Sequence, residues 1–228
     1  MCNLYSMTKN RGAILRLFRV SDNRAATFEP KDAIFPGHQA PVVRVAADGD
    51  RELVGMSWGF ILLLDGRAPR RVTNTRDDKV QGRFWRPSFE ARRCLVPASS
   101  FCEPNDGRAA GERATWHWFA LAGEEPRPLF AFAGLWQRWK GPLKKDGQNV
   151  DLDVYSFMTT APNAATASIN HERSPVILIT DEDRQTWLHG TPKEAAALVK
   201  PIDGTALRIV QAGAEKRDQL DVGAQPYV

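Results

Sequence analysis

The chain has 228 residues, 43% hydrophobic and 25% charged, with a net charge of +4; these are the proportions of a globular protein able to bury a substantial core. No apolar run approaches the roughly 18 residues a bilayer span needs. The first 20 residues, with Lys9, Arg11, Arg16 and Arg19 among apolar positions, lack a signal-peptide pattern, so the expectation is a cytoplasmic protein with no membrane partner.

The chain opens MCNLYS, with a thiol directly behind the initiator methionine. Residues 8–18 (TKNRGAILRLF) place Ile14, Leu15 and Phe18 at helical spacing, with Thr8 as the expected cap. Strands follow: 41–46, 52–64, 93–101, 115–121, 129–136, 154–161 and 174–179 are rich in Val, Ile, Phe and Trp. Between them, GEEPRP (123–128) and KGPLKKDGQN (140–149) fit hairpin connections. Two helices come next, one starting at Thr180 with acids in its first turn. In the other, Thr191, Pro192 and Glu194 supply a cap, a first-position proline and a capping-box acid. No repeat, linker or composition shift marks a boundary. The reading is one α+β domain, mainly antiparallel and barrel-like because so many strands need their edges closed, over 2–215, with 216–228 as a C-terminal tail. A monomer is expected.

From Gly66 to Arg93 there are nine basic residues (Arg67, Arg70, Arg71, Arg76, Lys79, Arg83, Arg86, Arg92, Arg93) against Asp77, Asp78 and Glu90. Phe84, Trp85 and Phe89 lie among them. Cations interleaved with aromatics suit a groove for single-stranded nucleic acid; a solvated basic face with its aromatics in the core fits the same residues, and is favoured on composition alone.

Four segments hold polar residues that strand patterning leaves unexplained. Removal of Met1 would give Cys2 both an α-amine and a thiol, each partly nucleophilic near neutrality. Such a 1,2-aminothiol has a specific partner, an aldehyde, because imine formation is followed by intramolecular closure of a thiazolidine ring. In VTNTRDD, Asn74 and Arg76 share a face if the segment is a strand, offering an amide and a guanidinium fork suited to phosphate. In RCLVPASSFCEP, Glu103 ends an apolar strand, where a carboxyl group is partly withdrawn from water and suited to proton transfer. In INHERSPVIL, His171 and Arg173 flank one residue before a strand, and His171 is the most suggestive of the four histidines as a proton shuttle. Cys94 and Cys102 are too far apart in sequence for the close pair of a structural zinc site, and no glycine loop cradles phosphate. Neither metal nor cofactor is expected.

Taken in order, Met-Cys, Asn-x-Arg, Arg-Cys-Leu-Val-Pro leading to Glu, and His-x-Arg-x-Pro before a Val-Ile-Leu strand resemble the SOS response-associated peptidase (SRAP) family of abasic-site processing proteins. Trp58-Gly59, Arg92-Arg93-Cys94, AGLW (133–136), Thr159-Thr160 and Trp187-Leu188 support the resemblance. It implies a curved sheet with flanking helices and a partner, single-stranded DNA containing abasic sites. Cys2 would end as a thiazolidine DNA–protein cross-link, a lyase-like activity. It further implies that Asn74 positions the amine, Glu103 and His171 move protons, Arg76 and Arg173 contact phosphate, and Trp58 packs on a flanking base. Two alternatives are a cysteine-type peptidase that removes its own N-terminal residue and a non-covalent single-stranded DNA-binding module. Asn3 and Leu4 stand where the family usually has Gly-Arg, so a phosphate contact from the fourth position is lost. Ser57, Pro104 and Ser174 are further departures.

Overall fold

The computed structural model describes residues 2–21, 24–64, 66–105 and 111–219. Strand β1 (Tyr5–Met7) leads into helix α1 (Arg11–Phe18). Its cap is Asn10, whose side chain accepts from the Ala13 N–H. The expected cap, Thr8, is engaged elsewhere: its backbone N–H donates to Ser99 Oγ at 3.0 Å. Next come β2 (Lys31–Ile34), β3 (Gln39–Val45) and β4 (Arg51–Trp58). The apolar run 52–64 reads as one strand in sequence, but Gly59 adopts φ 109°, and the chain restarts as β5 (Phe60–Leu62). Two short polar strands, β6 (Arg70–Val72) and β7 (Asn74–Arg76), precede α2 (Arg86–Ala91). The 93–101 run likewise divides, at Ser99, into β8 (Arg93–Ala98) and β9 (Ser100–Pro104). Beyond β10 (Trp116–Leu121), the 13-residue β11 (Phe130–Pro142) and 12-residue β12 (Asn149–Thr160) form a long hairpin. The remainder is α3 (Ala164–Ala167), β13 (Ser174–Pro175), β14 (Ile177–Leu178), α4 (Asp181–His189), α5 (Pro192–Ala197) and β15 (Leu207–Gly213). Thr180 caps α4, and Thr191 with Glu194 forms the capping box of α5.

Five strands close on themselves in the order β12-β4-β3-β8-β11-β12. Closure removes the exposed edges such strands would otherwise carry. Three of these ladders follow the antiparallel expectation and a fourth does so at β3–β8, but β12 meets β4 in parallel, and β7 adds to β12 in parallel as well. The barrel is filled by side chains such as Val43, Leu95, Val96, Phe132 and Phe157, all buried; the Phe132 and Phe157 rings stack with centroids 4.4 Å apart. Gly134 permits β8 and β11 to approach, since a Cβ there would lie 2.7 Å from Cys94 Sγ. Trp187 of α4 seals the same spot, its indole N–H donating to the carbonyls of Cys94 (3.0 Å) and Gly134 (3.1 Å).

A second sheet, β15-β10-β9-β1-β2, lies beside the barrel. The β8–β9 segment passes from one to the other, so the chain around Ser99 couples both. Residues 215–219 are strapped to this sheet. Trp118 donates to Glu215 O, Gln219 N to Gln211 Oε1, and Asp218 N to Asp32 O. Asp218 is buried and paired with Arg127 at 2.6 Å. Its Oδ2 also accepts from Ser6 and Ser100, at 3.0 and 2.5 Å. Residues 220–228 of the expected tail lie outside the described residues.

Candidate active site

β1 sits between β2 and β9, with Tyr5 opposite Phe101 and Ser6 opposite Ser100. The Cys102 N–H extends the pairing by donating to Leu4 O at 2.9 Å. This register carries Cys2 inward: the residue is only 1% exposed, and its thiol points to Leu4 O at 3.6 Å. Burial, and then the negative charge of Glu103, push the thiol well above its ordinary value. Cys2 therefore holds its proton at neutral pH. Leu4 turns the other way and packs in a small apolar cluster with Cys102 and Trp118.

Asn74 opens β7 and pairs with Phe157 of β12. It is 4% exposed, and neither amide atom has a hydrogen-bond partner. Leaving a buried amide unsatisfied costs about 1–3 kcal/mol, which marks it as a group held ready for something absent. The N-terminal segment is tied to its neighbour, since Thr73 Oγ1 donates to Asn3 Oδ1 at 2.8 Å. Asn3, Thr73 and Asn74 line one wall of a cavity of about 500 Å³, completed by Pro36, Arg70, Arg71 and Val72.

Glu103 and His171 come from distant elements. Glu103 lies on β9 opposite His117 of β10. His171 sits in the loop between α3 and β13. Its backbone N–H donates to Thr166 O at 3.2 Å. Asn163, the α3 cap, donates to Ser174 Oγ at 3.1 Å and fixes the loop's two ends. The result places His171 Nε2 3.2 Å from Glu103 Oε2, with both side chains almost fully buried. An imidazole facing a carboxylate in a site withheld from water can pass a proton between them.

The three residues expected to bind DNA stand differently. Trp58 is 0% exposed: its ring stacks on Phe157 at 5.3 Å, its N–H donates to Thr73 O, and it offers no face to a base. It supports the cavity floor instead, because its extended apolar surface gains most by joining the core aromatics. Arg76 forms a two-pronged pair with Asp78, at 2.8 and 3.0 Å, and Arg173 pairs with Asp77 at 2.5 Å. The aromatics of the basic stretch also turn inward. Trp85 stacks against Phe60 at 4.9 Å and Phe89 meets Trp187. The solvated-face reading of that stretch therefore holds for its aromatics. Arg70 and Arg71, missed as site residues, are the cations that line the cavity; an Arg-Arg pair four and three positions ahead of Asn74 was the available signal.

A small closed barrel joined to a second sheet, with a buried thiol at the chain start beside a Glu–His pair, defines a recognisable class: residues 1–215 match the SOS response associated peptidase (SRAP) family, and the chain belongs to it. Among relatives, it is 26% identical over 92% of both chains to the abasic site processing protein YoqW of Bacillus subtilis (strain 168). It is also 25% identical to the abasic site processing protein HMCES of Xenopus tropicalis, covering 80% of this chain and 61% of that one. A solved structure from Bordetella bronchiseptica superposes with TM-score 0.71 at 19% identity, over 94% of this chain and 99% of the other. One from Bacteroides thetaiotaomicron gives 0.68 at 24% identity, over 91% and 90%. These two likenesses bear on the fold alone.

Proposed function

We propose that the protein captures abasic sites in single-stranded DNA as a thiazolidine on Cys2, in keeping with the DNA processing named for its relatives. The observation that carries the reading is the buried Glu103–His171 pair, whose carboxylate is near enough to the buried Cys2 thiol for its charge to raise it. Removal of Met1 exposes the α-amine of Cys2. The ring-opened sugar presents an aldehyde, and the amine adds to it and loses one water to give the imine. The thiol then adds to the imine carbon; its S–C bond closes the five-membered ring and its proton passes to the nitrogen. One water leaves in all.

The order of events follows from the thiol's protonation. A thiol held neutral by burial is a poor free nucleophile, so the amine attacks first and the thiol closes only on the activated carbon beside it. This counts against a peptidase that relies on a standing Cys2 thiolate. Asn74, with its unpartnered amide, is placed to hold the amine. His171 and Glu103 take up and return the protons of ring opening and water loss.

The test is an intact mass of the purified protein with and without an abasic oligonucleotide. The expected adduct equals the methionine-free protein plus the oligonucleotide minus one water, and Cys2→Ala gives none. A methionine-free sample that binds the strand yet forms no adduct leaves only the non-covalent module standing.

A further inference from the structure

The residues that carry unneutralised positive charge in the cavity lined by Asn3, the neighbour of Cys2 in sequence, are not the ones expected. Arg76 and Arg173 each face an aspartate, Asp78 and Asp77. Arg76 spends its two-pronged geometry on Asp78, and Arg173 spends one guanidinium nitrogen on Asp77. The fourth position of the chain is Leu4, buried against Cys102 and Trp118. By contrast, Arg70 and Arg71 on β6 have no carboxylate partner among the described residues. Arg70 is exposed at the cavity wall. Arg71 is half-buried, and its Nη1 donates only to the carbonyls of Trp58 (3.2 Å) and Gly59 (3.3 Å). Partial burial lowers its pKa from the usual value without discharging it.

These two cations share one cavity with Asn74, whose amide is buried and unpartnered. Among the described residues its lining holds no acid. A space of about 500 Å³ falls within the range of small-ligand sites. It suits an anionic group. β6 is tied to β5 through Ile61–Arg71 and Leu62–Arg70, which fixes the backbone that carries both arginines.

We propose that this cavity is a phosphate subsite, in which Arg70 and Arg71 grip the backbone phosphate of the strand next to the sugar presented to Cys2. The inference rests on the proposed capture of single-stranded DNA and adds which residues hold its charge. Arg70 supplies long-range attraction from the rim. Arg71, fixed by two carbonyls, supplies the oriented fork. Asn3, held by Thr73, forms the wall between this subsite and the thiol.

The probe is a single-stranded oligonucleotide carrying a tetrahydrofuran analogue of the abasic sugar, which has no aldehyde and cannot form the adduct. Binding is measured across a salt series. Loss of one phosphate contact reduces the slope of log affinity against log salt by about 0.7 for single strands, and that is the expectation for Arg70→Ala; Arg70→Glu weakens binding further. Lys193→Ala, on α5, serves as the control for non-specific charge. Arg71→Gln is read only alongside its melting temperature, because Arg71 also braces Gly59; Arg70→Ala decides the matter without that complication. An unchanged slope for Arg70→Ala and Arg70→Glu, or a slope change confined to Arg76→Ala, overturns the subsite. A second arm uses the true abasic oligonucleotide with the unsubstituted protein. If that protein binds the analogue with the expected salt dependence but forms no adduct, the covalent reading fails and the phosphate subsite stands.

Discussion

At the scale of single residues, burial decides what each reactive group does. Glu103 faces His171 with both side chains almost fully buried, so its substitution tests proton transfer with little change of shape. Glu103→Gln is expected to slow adduct formation by about 10²–10⁴, the usual contribution of a positioned acid or base, as read by single-turnover quenching on denaturing gels. The thiols give a pH prediction of definite sign. Burial pushes Cys94 and Cys102 well above the ordinary 9.0. The unfolded chain therefore releases these protons at a lower pH than the folded one. The folded state binds more protons in that window, so stability falls as pH rises. It is fully present below about pH 9 and is lost above that as the pH climbs toward the folded values. Urea midpoints should be level between pH 7 and 8 and drop by pH 10, with a shallower drop for Cys102→Ala. The sequence had singled out Cys2, Asn74, Glu103 and His171 by residue type and neighbours. What it did not reveal is that Arg173 is paired, because its partner Asp77 is brought to it only where the end of β7 meets the loop before β13; the partner of Arg76, Asp78, lies two positions on in the same segment.

At the scale of elements, strand character was legible and strand ends were not. The runs 52–64 and 93–101 look continuous because apolar residues continue through both breaks. One break is set by the positive φ of Gly59 and the other by Ser99 passing between sheets. β1, β6 and β7 are three residues each, too short for periodicity to show. β7 exists because the long β12 offers it an edge, whereas β6 pairs only with the equally short β5 and β1 is held between β2 and β9. Gly59 makes the break at β4–β5 a point of sensitivity. A Cβ there would meet Arg71 Cβ at 3.1 Å in a backbone conformation that L side chains avoid. Gly59→Ala should cost about 1–2 kcal/mol from the backbone alone, measured by urea denaturation, and should weaken binding by shifting Arg71. Gly134→Ala presses on Cys94 and Val96 at the β8–β11 contact. A further loss of about 1–3 kcal/mol is expected there from overpacking.

At the scale of the whole molecule, α+β class and barrel closure followed from the number of strands needing partners. The parallel join of β4 to β12 did not, since nothing local distinguishes a parallel from an antiparallel edge. Nor did the strap formed by residues 215–219. Its anchor, Asp218, joins Arg127 to Ser6 of β1 and Ser100 of β9, the strands that lead to Cys2 and Glu103. Removing one partner of a buried pair leaves the other charged and unpaired, at about 3–5 kcal/mol. Asp218→Ala should therefore lower the urea midpoint sharply, and truncation after Ala214, which removes the strap but leaves Arg127 free to reach water, less so.

The placement of β1 inside a sheet also has a history in time. Cys2 leads into β1, which pairs with β9 about 100 residues downstream, and the nearby Glu103 pairs with His171 about 170 residues downstream. At the roughly 5–20 residues per second of synthesis, the thiol leaves the ribosome roughly 10–30 seconds before its surroundings are complete. A nascent chain thus carries its most reactive group into the cell unguarded, open to oxidants and stray carbonyl metabolites, and becomes selective only when its second half arrives.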